Sequence, residues 1–421
     1  MDPNRFATHS LRDPRLLRIL AAALDAVEPG AAVRRYLVTH PLPQRERIFA
    51  LAIGKAALPM MEGLASVVQL EDGLAITKHA AAGTRVDYAV LEGGHPVPDE
   101  RSLVAGKAAL EFAGRLGTRD LLVCLISGGG SALVSAPRIP LEELRKLTSA
   151  LLASGARIDE INTLRRHLDK VKGGGLARAA NGARVVSLVL SDVVGNPLEA
   201  IASGPTAPDP TTQDDAMQVV RKYGLEQLLE AGNGLMHETL KPGDPIFTRV
   251  QNVIVASSEI SVKAALGQAE KEGFQTELLT TNLQGEASIV GRELAQRLRV
   301  ATLEEKGPFC LIAGGETTVT LRGKGRGGRN QELALAALPD LAEMKEVLFI
   351  SLATDGEDGP TDAAGAVVTG ESLERARRLG LDVAGALAEN NSYPVFEALG
   401  DLIKSGPTGT NVNDIVLMMR L

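Results

Sequence analysis

Residues 121–131 read Leu-Leu-Val-Cys-Leu-Ile-Ser-Gly-Gly-Gly-Ser, and no other stretch constrains the fold as strongly. The apolar run Leu121 to Ile126 suits a strand buried on both faces of a parallel sheet. It stops at Ser127, Gly128, Gly129, Gly130 and Ser131, after which Ala132-Leu133-Val134 can begin a helix. Three glycines admit positive φ and the close approach of a ligand, because no Cβ stands in the way. Backbone N–H groups at such a strand-to-helix turn form a cradle for an anion, and two serine hydroxyls add neutral donors. A tight turn that binds nothing has the same sequence, so the rest of the chain must decide.

The same grammar recurs along the chain. Arg47 to Ile53 predicts a strand ending in Gly54-Lys55, which sets the Lys55 ammonium where ligands bind in open α/β sheets. It is not a P-loop, since Gly-x-x-x-x-Gly-Lys-Ser/Thr does not occur there. Strands over 73–77 and 87–91 follow, the second running into Gly94-His95-Pro96-Val97-Pro98-Asp99. Pro96 holds His95 extended, and Asp99 caps a helix over 100–116. A lone His95 reads more as structural than catalytic. Ile161, Leu164, Leu168 and Val171 mark a helical stripe. Its Arg165, Arg166, His167 and Lys170 read as a solvated basic face. Lys172, beside Gly173-Gly174-Gly175, is the exception and a candidate anion contact. The strand Val185 to Leu190 ends at Asp192, a place that suits a general base, a metal ligand or a helix cap equally.

At 421 residues the chain is too long for one ordinary core, so two α/β domains are expected. The glycine- and proline-bearing stretch 231–245 is the candidate linker, giving domains 1–240 and 241–421. Past it, strands over 252–256 and 276–279 alternate with helices. Cys310-Leu-Ile-Ala-Gly-Gly315 then echoes Cys124-Leu-Ile-Ser-Gly-Gly129, and Glu316 follows. Arg322-Gly-Lys-Gly-Arg-Gly-Gly-Arg329 combines four cations with four glycines. Arginines on a glycine loop ahead of a helix suit bidentate contact with carboxylate or phosphate oxygens. The strand Val347 to Ala353 ends in Thr354-Asp355-Gly356-Glu357-Asp358. One or two of these acids, with phosphate oxygens, can hold a single Mg²⁺.

Composition excludes several classes. A net charge of −7 argues against nonspecific nucleic-acid or anionic-membrane binding, and 3% aromatics with no Trp supply no base-stacking platform. No stretch approaches the roughly 20 apolar residues of a membrane helix, and the first residues do not resemble a signal peptide. A cytoplasmic protein is expected. Cys124 and Cys310 both sit in apolar runs and read as inert buried thiols.

Anion-competent turns, isolated cations (Lys55, Lys172, Arg326, Arg329) and acids at strand tips (Asp192, Asp355) suggest phosphoryl transfer. That reaction needs a phosphate cradle, neutralising cations, a metal and a positioned hydroxyl. Seven ordered motifs carry a resemblance over nearly the whole chain: Gly94–Asp99, Ser127–Ser131, Lys170–Ala177, Ile201–Thr206, Gly325–Glu332, Thr354–Gly359 and Gly409–Asp414. They are similar to the hallmarks of glycerate 2-kinases, a family often labelled hydroxypyruvate reductase. The resemblance implies ATP- and Mg²⁺-dependent phosphorylation of the 2-hydroxyl of D-glycerate, giving 2-phosphoglycerate. It implies a Rossmann-like first domain, a distinct mixed α/β second domain and an active site in the cleft between them. It places the family's essential Lys on Lys55 and its essential Arg on Arg326 or Arg329, with Arg326 favoured. On that basis Ser127 to Ser131, with Lys172 and Arg329, contact nucleotide phosphates. Lys55 and Arg326 meet transition-state charge, Asp192 handles the hydroxyl, and Asp355 or Glu316 touches metal. Small molecules are the expected partners, with a homodimer as the candidate assembly. Asn196 stands where the family pattern leads us to expect an acid. The rival is an NAD(P)H-dependent hydroxypyruvate reductase. Its Gly-x-Gly-x-x-Gly would have to be Gly323–Gly328, after a weak strand over 318–321 and in a very basic setting.

Overall fold

The computed structural model describes residues 1–80, 87–228 and 236–421. The chain divides into two compact units, residues 29–255 and residues 1–28 with 256–421.

The first unit is built on six strands: β1 (Arg47–Ile53), β2 (Asp72–Thr77), β3 (Ala89–Glu92), β4 (Asp120–Ile126), β5 (Arg184–Leu190) and β6 (Val250–Ala256), in the order β3-β2-β1-β4-β5-β6. Strands β1 to β5 pair in parallel. Every residue of β4 is buried, as its unbroken apolar run requires of a central parallel strand. The order is that of a Rossmann sheet, in which the chain reverses its direction of travel between β1 and β4. Register sets Ile53 opposite Ile76 and Ile126, and Ile126 opposite Val189, so the carboxyl ends of β2, β1, β4 and β5 finish level.

The second unit carries β7 (Gln275–Leu283), β8 (Phe309–Gly315), β9 (Val347–Ala353), β10 (Gly365–Thr369), β11 (Leu402–Ile403) and β12 (Asp414–Arg420), in the order β11-β10-β9-β12-β8-β7. Strand β12 runs antiparallel to both β8 and β9, while β7 and β8 are parallel, so this sheet is mixed. Side chains of β12 alternate between two cores, as a two-residue period demands. Val416 and Met418 join the helices Ala287–Glu304 and Arg329–Ala337. Ile415, Leu417 and Met419 join Leu16, Leu17, Leu20 and Leu24 of the N-terminal helix Pro14–Asp25.

That helix corrects the expected division at 240/241. Its leucines and alanines cover a face of the second sheet, so residues 1–28 belong with the C-terminal unit. Strand β6, expected beyond the linker, is an edge strand of the first sheet beside β5. The candidate linker 231–245 lies partly outside the described residues. Its described part packs on the first unit: Asp209 N–H donates to Leu240 O, and Leu240 N–H to Gly173 O. No helix among the described residues is long and apolar enough to cross a membrane. Cys124 and Cys310 are buried free thiols; burial pushes the Cys124 thiol up to about 12 and raises Cys310 too.

Candidate active site

In an open parallel sheet, ligands bind beyond the carboxyl ends of the strands where the chain order reverses. Here that place is the gap between the ends of β1 and β4, which carry Gly54-Lys55 and Ser127–Ser131. The two turns are stitched together. Lys55 N–H donates to Gly128 O (2.9 Å), Ser127 N–H to Ile53 O (2.9 Å), and Ala56 N–H to Ser127 Oγ (3.1 Å). Ser127 is thus buried and holds the turns in register, leaving its hydroxyl no room for a ligand. Ser131 is half-buried, with its Oγ 2.8 Å from Ser203 Oγ.

The turn between them is open at its amides. Among the described residues, no acceptor takes the N–H groups of Gly128, Gly129 or Ser131, whereas Gly130 N–H reaches Ser127 O. Gly129 is left-handed (φ 82°), and a Cβ on it would lie 3.1 Å from His95 Cδ2 and 3.2 Å from Lys55 Cγ. A Cβ on Gly128 would lie 1.9 Å from Asp192 Oδ2. Lys55, His95 and Asp192 therefore surround one glycine turn with free amides, the composition of an anion cradle. Burial raises the Asp192 pKa, opposed by its own backbone N–H and by Lys55. Burial, then Lys55 and Lys78, push His95 down to about 4, so its ring is neutral at pH 7. The His95–Pro96 peptide is cis.

Sequence reasoning set His95 aside because nothing local brings it to Lys55; the parallel register of β1 to β3 does. It missed Ser203 too. Ala202 (φ 50°), Ser203 (φ 60°) and Gly204 (φ 61°) are all left-handed, a conformation two non-glycine residues hold only under restraint. Gly173 N–H and Gly174 N–H donate to the Ser203 and Gly204 carbonyls, so the second triple glycine props this loop against Ser131. Lys172 belongs to that prop. It is buried, 2.7 Å from Asp169 Oδ2 and 3.1 Å from Val134 O, and burial lowers its pKa despite Asp169. Its ammonium is held inside the fold and not presented to a ligand. The supposed solvated basic face is likewise partly interior: Arg166 and His167 are buried, with Arg166 Nε 3.0 Å from Asp209 Oδ2. Asn196 (φ 55°) follows Gly195 (φ 78°) in a left-handed turn.

The second unit gathers a different set. Register places Asp414, the first residue of β12, opposite Gly315 and Ala353, the last residues of β8 and β9. Glu316, Asp355 and Asp414 thereby lie at neighbouring strand tips. Arg329 joins them: it donates to both Asp414 oxygens (2.6 and 2.9 Å), and its Nη1 is 2.8 Å from Glu316 Oε1. Burial opposes its charge, but Asp414 and then Glu316 outweigh burial and raise its pKa. Burial raises Asp355, and Asp414 adds to the shift, against the Glu357 N–H and Arg329. Asp358 accepts the Asn330 and Gln331 N–H groups at the start of the helix Arg329–Ala337. Arg326 sits apart from Arg329. It is exposed, its guanidinium 3.9 Å from the Tyr393 ring centroid and 3.8 Å from Asp362. The Thr318–Leu321 stretch forms only a bridge, Glu286 to Thr318, so Gly323–Gly328 does not follow a strand.

A Rossmann-ordered sheet with an anion-competent turn at its switch point, followed by a mixed α/β unit, defines a two-unit α/β protein built for an anionic ligand. Residues 15–233 match the model of a domain of unknown function, DUF4147, and residues 309–414 match the MOFRL family. The chain is 41% identical to glycerate 2-kinase of Pyrococcus horikoshii over 95% of this chain and 96% of that one. It is 40% identical to D-glycerate 2-kinase of Thermotoga maritima over 96% and 99%, and 36% identical to human glycerate kinase over 95% and 92%. The crystal structure of a Thermotoga maritima glycerate kinase superposes with a TM-score of 0.90 at 40% identity, covering 96% of this chain and 98% of that one. The chain belongs to the glycerate kinase family.

Proposed function

We propose that this chain is an ATP-dependent glycerate 2-kinase, which transfers the γ-phosphoryl group of ATP to the 2-hydroxyl of D-glycerate and yields 2-phosphoglycerate. The observation that carries the reading is the turn at the switch point, with free Gly128, Gly129 and Ser131 amides flanked by Lys55, His95 and Asp192. In phosphoryl transfer the protein's work is positioning and electrostatics. Amides of the turn hold phosphate oxygens, and the Lys55 ammonium faces the charge that grows on them. Asp192 orients the acceptor hydroxyl and takes its proton as the O–P bond forms and the bond from phosphorus to the departing ADP oxygen breaks. Its raised pKa supports that task.

Arg326, exposed and steadied on Tyr393, is the arginine we assign to developing charge. Arg329 instead braces Asp414 and Glu316. Among the described residues no three His, Cys, Asp or Glu side chains form a metal cage. An incomplete set of hard oxygen donors still suits Mg²⁺, which keeps waters and shares phosphate oxygens. Asp355, its charge strained by burial and by Asp414, fits such an ion, with Glu316 beside it once Arg329 shifts. When bound, Mg²⁺ neutralises phosphate charge. Cytoplasmic location and a homodimer complete the reading; light scattering of the purified chain tests the second.

Two coupled assays test the activity: D-glycerate with ATP and Mg²⁺, against hydroxypyruvate with NADH. Turnover in the first alone is expected. NADH oxidation with hydroxypyruvate, and none of the first, would overturn the reading.

A further inference from the structure

Within the first unit a small cavity lies between Arg138, the segment 169–175 and the strap 237–240. Backbone bonds fix its walls. His237 N–H donates to His167 O, Leu240 N–H to Gly173 O and Arg138 N–H to Leu168 O, and Pro137 bridges to Asp169. The cavity's volume is about 20 Å³, little more than the roughly 10–15 Å³ that one water needs. Five cations line it, Arg138, Arg166, Lys170, Lys172 and Arg178, against two acids, Asp169 and Glu238.

Ion pairing leaves this charge uneven. Asp169 is already occupied: its Oδ2 accepts from Lys172 Nζ (2.7 Å), Ser135 Oγ (2.7 Å) and Ala136 N–H (3.1 Å), and its Oδ1 from Val171 N–H (2.9 Å). Glu238 pairs with Lys241 and accepts the Thr239 and Gln213 N–H groups. Arg166 takes Asp209. Among the described residues no acid is left for Arg138, Lys170 or Arg178. Lys170 and Arg178 are exposed at the mouth. Arg138 lies deeper: its Nε is buried and donates to nothing. Burial lowers the Arg138 pKa and the Arg178 charge adds to that, against Asp169. A guanidinium N–H shut away from water without an acceptor is costly, and a second arginine beside it adds repulsion.

The occupant must therefore bring negative charge and acceptor oxygens. The inner volume admits one oxygen-sized group, so the remainder of the ligand stays at the mouth. A carboxylate that sends one oxygen inside keeps a single oxygen for two cations there. A phosphate keeps more, and its double charge answers more of the three cations. Guanidinium forks also match phosphate oxygens, whereas a halide would fill the volume and leave the forks unused.

We propose that this cavity and its mouth bind a phosphate group, with one oxygen accepting from Arg138 Nε inside and the others meeting Lys170 and Arg178. The site shares no residue with the Ser127–Ser131 turn, and it needs neither the kinase reading nor the second unit. The same group occurs as the free ion and as the head of a phosphate monoester, and the two are separated by titration.

The test is calorimetric titration of the full chain, at fixed ionic strength, with inorganic phosphate and with glycerol 3-phosphate. Potassium chloride is the halide control. Because the turn also attracts phosphate, variants identify the site. A binding event is expected that Arg138→Gln weakens at least tenfold and that survives in Lys55→Ala. Arg178→Gln, at an exposed position, should weaken it severalfold and serves if Arg138→Gln fails to fold. Tighter binding of glycerol 3-phosphate assigns the site to monoesters; equal or tighter binding of phosphate assigns it to the free ion. Affinities within twofold of wild type in both Arg138→Gln and Arg178→Gln overturn the proposal. So does the absence of any event beyond one lost in Lys55→Ala, or an event that equimolar chloride abolishes. No arm measures glycerate phosphorylation, so this proposal and the kinase reading fail separately.

Discussion

The Ser127–Ser131 turn and the Arg322–Arg329 loop are both glycine-rich, both precede helices, and put their glycines to opposite uses. At Gly128 and Gly129 the space a Cβ would fill is bordered by Asp192, His95 and Lys55, and the amides have no acceptor. In the loop, a Cβ on Gly325 would lie 2.4 Å from Asn391 Cβ, and one on Gly327 2.2 Å from Ser392 Oγ. Gly325 N–H already donates to Glu389 O. Those glycines let the loop lie flat on residues 389–392. Glycine density by itself does not separate a ligand cradle from close packing; the fate of the amides does.

The largest expected effect separates the two regions by their cations. Lys55→Ala should lower kcat by about a hundredfold or more, the loss seen when one preorganised charge-stabilising donor is removed. Lys324→Ala, exposed on the loop, should leave kcat within about threefold. Equal losses from both would erase the distinction. Arg326→Ala should come next, about tenfold or more in kcat at unchanged melting temperature. Arg329→Ala should destabilise the fold by about 2 kcal/mol, because it strips a buried Asp414 of its partner. Melting curves and kinetics together read the contrast.

The glycines sharpen it further. Gly128→Ala pushes into Asp192 and should cost activity out of proportion to stability. Gly325→Ala pushes into Asn391 and should cost about 1–3 kcal/mol of stability, the usual penalty of overpacking. If Gly325→Ala melts like wild type, the packing account of the loop is wrong.

The smallest effect concerns pH. His95 has a folded pKa of about 4, below its ordinary 6.5. The unfolded chain therefore takes up the proton first as pH falls. The stability that neutral His95 contributes is fully present above pH 6.5 and is lost as pH drops towards 4. His95→Asn should flatten that decline by about 1 kcal/mol, measured by denaturant melts at pH 7 and pH 4.5.

Strand and turn positions were legible because unbroken apolar runs ending in glycine have few other uses. The glycine turn with its free amides was legible for the same reason, since Ser127–Ser131 ends the apolar run of the central strand in three glycines. Partners across the chain were not. The leucines of 16–24 announce a buried face without saying which sheet they cover. Arg166 and His167 look like surface charges, and Lys172 like an anion contact, until Asp209 and Asp169 fold against them. His95 and Ser203 reach the turn only through sheet register and a left-handed loop, neither of which leaves a local mark.

The most direct measurement follows the amide resonances of isotope-labelled glycines as a non-hydrolysable ATP analogue is added. The account predicts that Gly128 and Gly129 shift strongly, because their N–H groups gain phosphate acceptors. If the analogue binds while Gly128 and Gly129 stay where they were, the turn at the switch point is a connection and not a cradle.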